Sequence, residues 1–170
     1  LMEQDGEEEK FQNLFLAGKC LSEVRTSQGI DNVEFRLLNM LKGLTGYDLG
    51  LTAYDIGYFY ENGMYDLFFW ETYQDYLKLV REIRTKVVEI VATTWRNESL
   101  TYTWLKEEVM FDESSDVRVE AIRQIATGWK HKPGILDLLK QRLVSDDSGN
   151  VRSEALRQIA TGWKHEPGIL

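Results

Sequence analysis

The chain holds a single cysteine, Cys20, which excludes an intrachain disulfide and makes a reducing compartment the simpler setting. Its only histidines, His131 and His165, lie 34 residues apart. One cysteine and two distant histidines fall short of the roughly four N or S ligands of a zinc site. No run approaches the ~18 consecutive apolar residues of a membrane span. Met2 to Lys10, with Glu7, Glu8 and Glu9 in a row, is the opposite of a signal peptide's basic start and apolar middle. A cytoplasmic location without a membrane partner is therefore expected, and Asn97-Glu98-Ser99 reads as a chance match to a glycosylation sequon. A basic excess is also missing: 20 Lys and Arg face 28 Asp and Glu, a net charge of −8. Phosphate-backbone binding draws on clustered Lys and Arg, so nucleic acid is not an expected partner. There is no nucleophile-elbow motif. Ala17-Gly18-Lys19-Cys20 comes nearest to a phosphate loop, but Asn13 and Cys20 stand where a glycine and a Ser or Thr are required. Asp146 to Asn150 lacks the ligand spacing of a calcium loop. No catalytic residue, cofactor or metal is expected in these residues.

What the chain does have is a repeat. Val117 to Leu136 reads VRVEAIRQIATGWKHKPGIL, and Val151 to Leu170 reads VRSEALRQIATGWKHEPGIL; 17 of 20 positions are identical at an offset of 34. Chance does not produce this, and a duplicated structural unit does. A diverged copy lies one period earlier, with Ile83-Arg84 aligned to Val117-Arg118, Trp95 to Trp129 and Trp163, and Leu105-Lys106 to Leu139-Lys140.

Each unit reads as two helices. Val117, Ala121, Ile122, Ile125, Ala126 and Trp129 mark one face of a 3.6-residue helix. Arg118, Glu120, Arg123 and Gln124 fall on the other faces. Ser114, Ser115 and Asp116 are candidate N-caps, and Gly128 suits a helix end that needs positive φ. Pro133 fits the first turn of the second helix, whose apolar stripe is Leu136, Leu139, Leu143 and Val144. A lone pair cannot bury its apolar face. Stacked pairs share a continuous core and form an extended surface suited to large partners. The expected fold class is all-α, an α-solenoid of stacked helix pairs. The residues that define the unit are Asp112, Arg118, Trp129 and Pro133, then Asp146, Arg152, Trp163 and Pro167.

The first half is organised differently. Residues 1–9 form an acidic tail, and residues 10–45 a diverged helical pair, with helices over Lys10 to Arg25 and Val33 to Leu44. Residues 46–77 form an insert, and residues 78–170 the repeats, in units of about 83–116, 117–150 and a truncated 151–170. The whole charge excess sits in residues 1–82, with 7 basic and 15 acidic residues against 13 and 13 in the remainder. Tyr47 to Tyr76 gathers 11 of the 20 aromatics and six acids, with no Lys or Arg. A helix is expected from about Met64 onward. Two readings of this insert stand: a patch that binds a basic partner, with Tyr58, Tyr60 and Trp70 as candidates, or an element whose aromatics plug the core. The chain opens on Leu1 and ends at Leu170 inside a repeat, which reads as a piece of a longer array whose final unit should fray.

A 34-residue period matches the tetratricopeptide length, but that motif's Trp, Leu-Gly, Tyr, Ala and Pro pattern is absent. The Asp…Val-Arg-x-Glu-Ala pattern, with Asp112 six residues before Arg118 and Asp146 six before Arg152, instead resembles short prokaryotic HEAT units. That resemblance implies Asp–Arg pairing between adjacent units, broken where Lys78 replaces the aspartate before Arg84. Phe15 to Arg25 (FLAGKCLSEVR) resembles the start of the helical region after the NACHT module of many cyanobacterial NTPases. The Ala-x-x-Gln-Ile-Ala-x-Gly-Trp-Lys and Pro-Gly-Ile-Leu stretches resemble the HEAT units at the C-terminal end of the same proteins. The implied role is a non-catalytic sensor arm whose partner is another protein or another domain of the parent chain. Arg118, Arg123, Arg152 and Arg157 are its candidate contact residues. A HEAT-like phycobilin lyase subunit and a free-standing scaffold are the alternatives.

Overall fold

The computed structural model describes residues 11–23, 31–44 and 67–164, and all the regular structure among them is helical. In chain order the helices are α1 (Gln12–Glu23), α2 (Asp31–Gly43), α3 (Leu67–Thr94), α4 (Ser99–Phe111), α5 (Ser115–Gly128), α6 (Ile135–Ser145) and α7 (Gly149–Gly162). No helix among the described residues is long and apolar enough to cross a membrane.

The 28-residue α3 joins two cores, because its apolar residues lie on two adjoining stripes. Val87, Ile90 and Val91, with Trp95 just past the helix end, pack with Leu14 of α1 and Leu37 and Leu41 of α2. Val88 and Ala92 belong to the second core, with Leu105 and Val109 of α4 and Val117, Ala121, Ile122 and Ile125 of α5. From there α5 packs on α3, α4 and α7, and α6 packs on α7. The boundary expected at 77/78 falls inside α3, which runs across it without a break.

Gly18 sets the spacing at the first core. A Cβ there would lie 2.6 Å from Ile90 Cγ2 and 3.3 Å from Leu41 Cδ1, so the absent side chain lets α1 press onto α3. The Thr94 hydroxyl donates to the Gly18 carbonyl at 3.0 Å across the same contact. Ala17 to Cys20 is thus part of a helix that buries Gly18 in the contact and leaves Lys19 and Cys20 exposed.

Several local expectations need correction. Gly128 has no positive φ; its lack of a side chain matters instead, because a Cβ would sit 3.2 Å from the Arg96 guanidinium. Pro133 lies in the turn before α6, and the left-handed residue is Gly134 (φ 84°), which caps the helix that starts at Ile135. Only a residue without Cβ takes that conformation at little cost. Neither Ser114 nor Ser148, the N-cap residues of α5 and α7, makes a side-chain cap hydrogen bond. The aspartates two residues earlier close the turn: the Ser114 N–H donates to Asp112 Oδ1 at 2.7 Å, and the Ser148 N–H to Asp146 Oδ1 at 3.0 Å. On α6 the buried stripe is Ile135, Leu138 and Leu139, whereas Val144 is 81% exposed. Val144 lies about 140° round the helix from Leu139, off the i, i+3, i+4 face.

Candidate interaction surface

Trp95, Trp129 and Trp163 share one setting. Each follows the last residues of a first-type helix, is buried, and donates its backbone N–H to the carbonyl four residues back, at 3.1, 3.0 and 2.9 Å. A cation from one copy meets the Gly-Trp of the next. Arg96 lies against Gly128, and the Lys130 ammonium sits 5.6 Å from the centre of the Trp163 ring.

The arginines do two jobs. Arg118 Nη1 donates to the carbonyls of Asp112 (2.8 Å) and Glu113 (3.2 Å), clamping the loop before its own helix. Arg152 repeats this on the carbonyls of Asp146 (2.8 Å) and Asp147 (3.0 Å). The rest of the Arg118 guanidinium reaches forward: Nε to Asp146 Oδ2 at 3.2 Å and Nη2 to Asp146 Oδ1 at 2.9 Å, with Asp147 alongside. Arg84 makes the same forward bond to Asp112, at 2.9 and 3.1 Å. The carboxylate partner of Arg84 and of Arg118 is therefore the aspartate 28 residues ahead. At Lys78, where the aspartate is replaced, the only described ion pair is with Glu82 at 4.0 Å, while Arg84 draws on Asp112.

Burial alone would lower the Arg118 pKa, but its hydrogen bond to Asp146 and the charges of Asp146, Asp147 and Asp112 raise it overall. Burial would likewise raise that of Asp146. The bonds from Arg118 and the Ser148 N–H outweigh it, and the carboxyl is held below its usual range.

A second cluster escaped the sequence reading. Glu154 is buried and accepts from Arg157 Nη2 (2.6 Å), Arg157 Nε (3.1 Å), Gln158 Nε2 (2.8 Å) and, from the preceding copy, Arg123 Nη2 (3.3 Å). These bonds overcome burial and lower its pKa. Glu120 holds Gln124 (2.8 Å) and Arg123 (3.2 Å) in the same way one period earlier. The signal was present as a Glu with Arg and Gln three and four residues on, which share a helix face.

Of the four candidate arginines, Arg118 is 7% exposed and committed to its carboxylates, so it is not on an open face. Arg152 is half-buried. Arg123 and Arg157 are open to solvent, with side chains 45% and 56% exposed, though both lie on Glu154. Tyr58, Tyr60 and Pro167 lie outside the described residues, as does the side chain of Trp70 on α3. Exposed His131 lines a cleft of about 450 Å³ with Lys130, Lys132, Gly134 and Trp163. Lys132 stands 4.2 Å over the Tyr102 ring, which lies 6.2 Å from that of Trp129. This edge is open, basic and aromatic. Among the described residues no three His, Cys, Asp or Glu side chains are grouped to hold a metal.

No protein-family model matches the chain. No curated protein or solved structure is significantly similar to it.

Proposed function

We propose that the chain is a non-catalytic protein-interaction or ligand-sensing array, an α-solenoid of HEAT-like helix pairs that serves as the regulatory arm of a larger, cytoplasmic NACHT-type signalling NTPase. The observation that carries the array is the clamp across each unit boundary, from Arg118 to the Asp112 and Glu113 carbonyls and from Arg152 to the Asp146 and Asp147 carbonyls, with Arg123 on Glu154 beside it. A link that joins each copy to the next can be repeated indefinitely. It fixes neighbouring units in register and leaves the helix ends and loops at the rim free to meet a partner. Sensing then follows from stacking. A partner that spans several units favours one curvature of the arm, and the arm transmits that preference to the domain it is attached to. The NTPase attachment rests on the resemblance of FLAGKCLSEVR and of the Gly-Trp-Lys units to the NACHT-associated helical regions.

Two measurements test the proposal. The gene that encodes this chain should carry, upstream, a Gly-x-x-x-x-Gly-Lys-Ser/Thr loop; a complete gene without one refutes the NTPase attachment. Removing residues 83–164 from the parent should change nucleotide hydrolysis while leaving nucleotide binding intact. Unchanged hydrolysis, with and without cell extract, refutes the regulatory role.

A further inference from the structure

Arg84, Arg118, Arg123, Arg142 and Arg157 each lie on a carboxylate. Three lysines at the tryptophan edge lie on aromatic rings instead. Lys132 and Lys106 stand 4.2 and 5.8 Å from the centre of the Tyr102 ring, and Lys130 stands 5.6 Å from that of Trp163. Among the described residues no Asp or Glu forms an ion pair with any of the three. Two ammonium groups therefore meet at the Tyr102 ring without a counter-charge. Their mutual repulsion is offset only in part by the ring, and an anion placed between them would remove the rest. Lys130 and Lys132 are two residues apart in the chain but reach in opposite directions along the array, to Trp163 of the next unit and Tyr102 of the unit before. Both line the cleft of about 450 Å³, with Leu136 and Trp163 as its apolar wall and no carboxylate among its lining residues.

We propose that this edge binds an extended acidic peptide, its carboxylates on Lys106, Lys130 and Lys132 and an apolar side chain beside Leu136. The proposal rests on the interaction-array reading and names the face and the chemistry of the partner. The divergence of Lys130 and Lys132 favours a ligand whose charges are spread along a chain over one compact anion. Nucleic acid is the weaker fit. The rings on which bases would stack already carry ammonium groups, and a net charge of −8 repels a polyanion.

The test titrates the full chain into a fluorescein-labelled Glu-Glu-Leu-Glu-Glu peptide at low salt and follows anisotropy. Binding should weaken as salt rises. Lys130→Gln combined with Lys132→Gln should weaken it about tenfold, with an unchanged circular dichroism spectrum. Lys78→Gln combined with Lys86→Gln, the same loss of charge on α3, should change it by less than about twofold. Equal weakening by the two pairs reduces the binding to net charge and overturns the proposal. A single-stranded oligonucleotide of equal charge that binds more tightly, and is released by the Lys130 and Lys132 changes, assigns the edge to nucleic acid and also overturns it. So do carbodiimide cross-links from Lys130 or Lys132 to an acid of the same chain without peptide, which would show the edge already filled. Absent peptide binding overturns this proposal alone if removal of residues 83–164 from the parent still changes nucleotide hydrolysis; if hydrolysis is also unchanged, the array reading beneath it falls too.

Discussion

Arg118→Ala should be among the most damaging single changes outside the apolar core, and the second copy supplies its control. The Asp146 side chain is 2% exposed, and Arg118 supplies two of its hydrogen bonds. Truncating the arginine leaves a buried carboxylate whose nearest remaining cation is Arg142 Nη1 at 3.6 Å. Breaking a buried pair on one side costs about 3–5 kcal/mol. Arg142 and the Ser148 N–H soften the loss, so about 3 kcal/mol is expected, a fall of roughly 6–12 °C in Tm for a chain of this size. Arg152→Ala removes only bonds to two carbonyls on the loop side and should cost about 1 kcal/mol. Urea unfolding followed by far-ultraviolet circular dichroism and by tryptophan fluorescence measures both variants. A double-mutant cycle of Arg118→Ala with Asp146→Asn should give a coupling of about 2 kcal/mol. Equal costs for the two arginines, or a coupling near zero, would refute the claim that the forward bond ties the first helix of a unit to the loop that ends it.

Gly18→Ala gains up to about 1 kcal/mol of helix propensity, but its Cβ meets Ile90 at 2.6 Å. Overpacking of about 1–3 kcal/mol prevails, so chemical denaturation should show a net loss. Thr101 is fully buried with its hydroxyl unpartnered, and Thr101→Val should raise stability by about 1 kcal/mol; a lower denaturation midpoint would show that the hydroxyl is needed. Burial, then the hydrogen bond and charge of Asp112, push the Glu108 carboxyl up to about 8 against the opposing pull of Arg84. The folded chain therefore binds the extra proton between the unfolded value of 4.5 and about 8, and stability should fall as pH rises through that window. Glu108→Gln should flatten the fall in thermal midpoints measured from pH 5 to 8. The lowered Asp146 and Glu154 carboxyls act in the opposite sense, contributing stability that is lost as pH falls below their unfolded range.

The amino-acid order alone determined the helices of the repeats, their 34-residue period and the buried face of α5, because side chains three and four apart share a helix face whatever surrounds them. Val117, Ala121, Ile122 and Ile125 are all fully buried, as that spacing requires. The three tryptophans were legible for the same reason. Only the tertiary structure decided which way the Arg–Asp pairs run, since six residues of separation in the chain and 28 across it were equally available on paper. It also decided that Ile122 is covered while Leu156 is open, and that Gly18 serves a helix contact with Ile90. Those outcomes depend on which neighbour packs against a residue. A local pattern gives the direction in which a side chain points, whereas its neighbour is set by packing between helices.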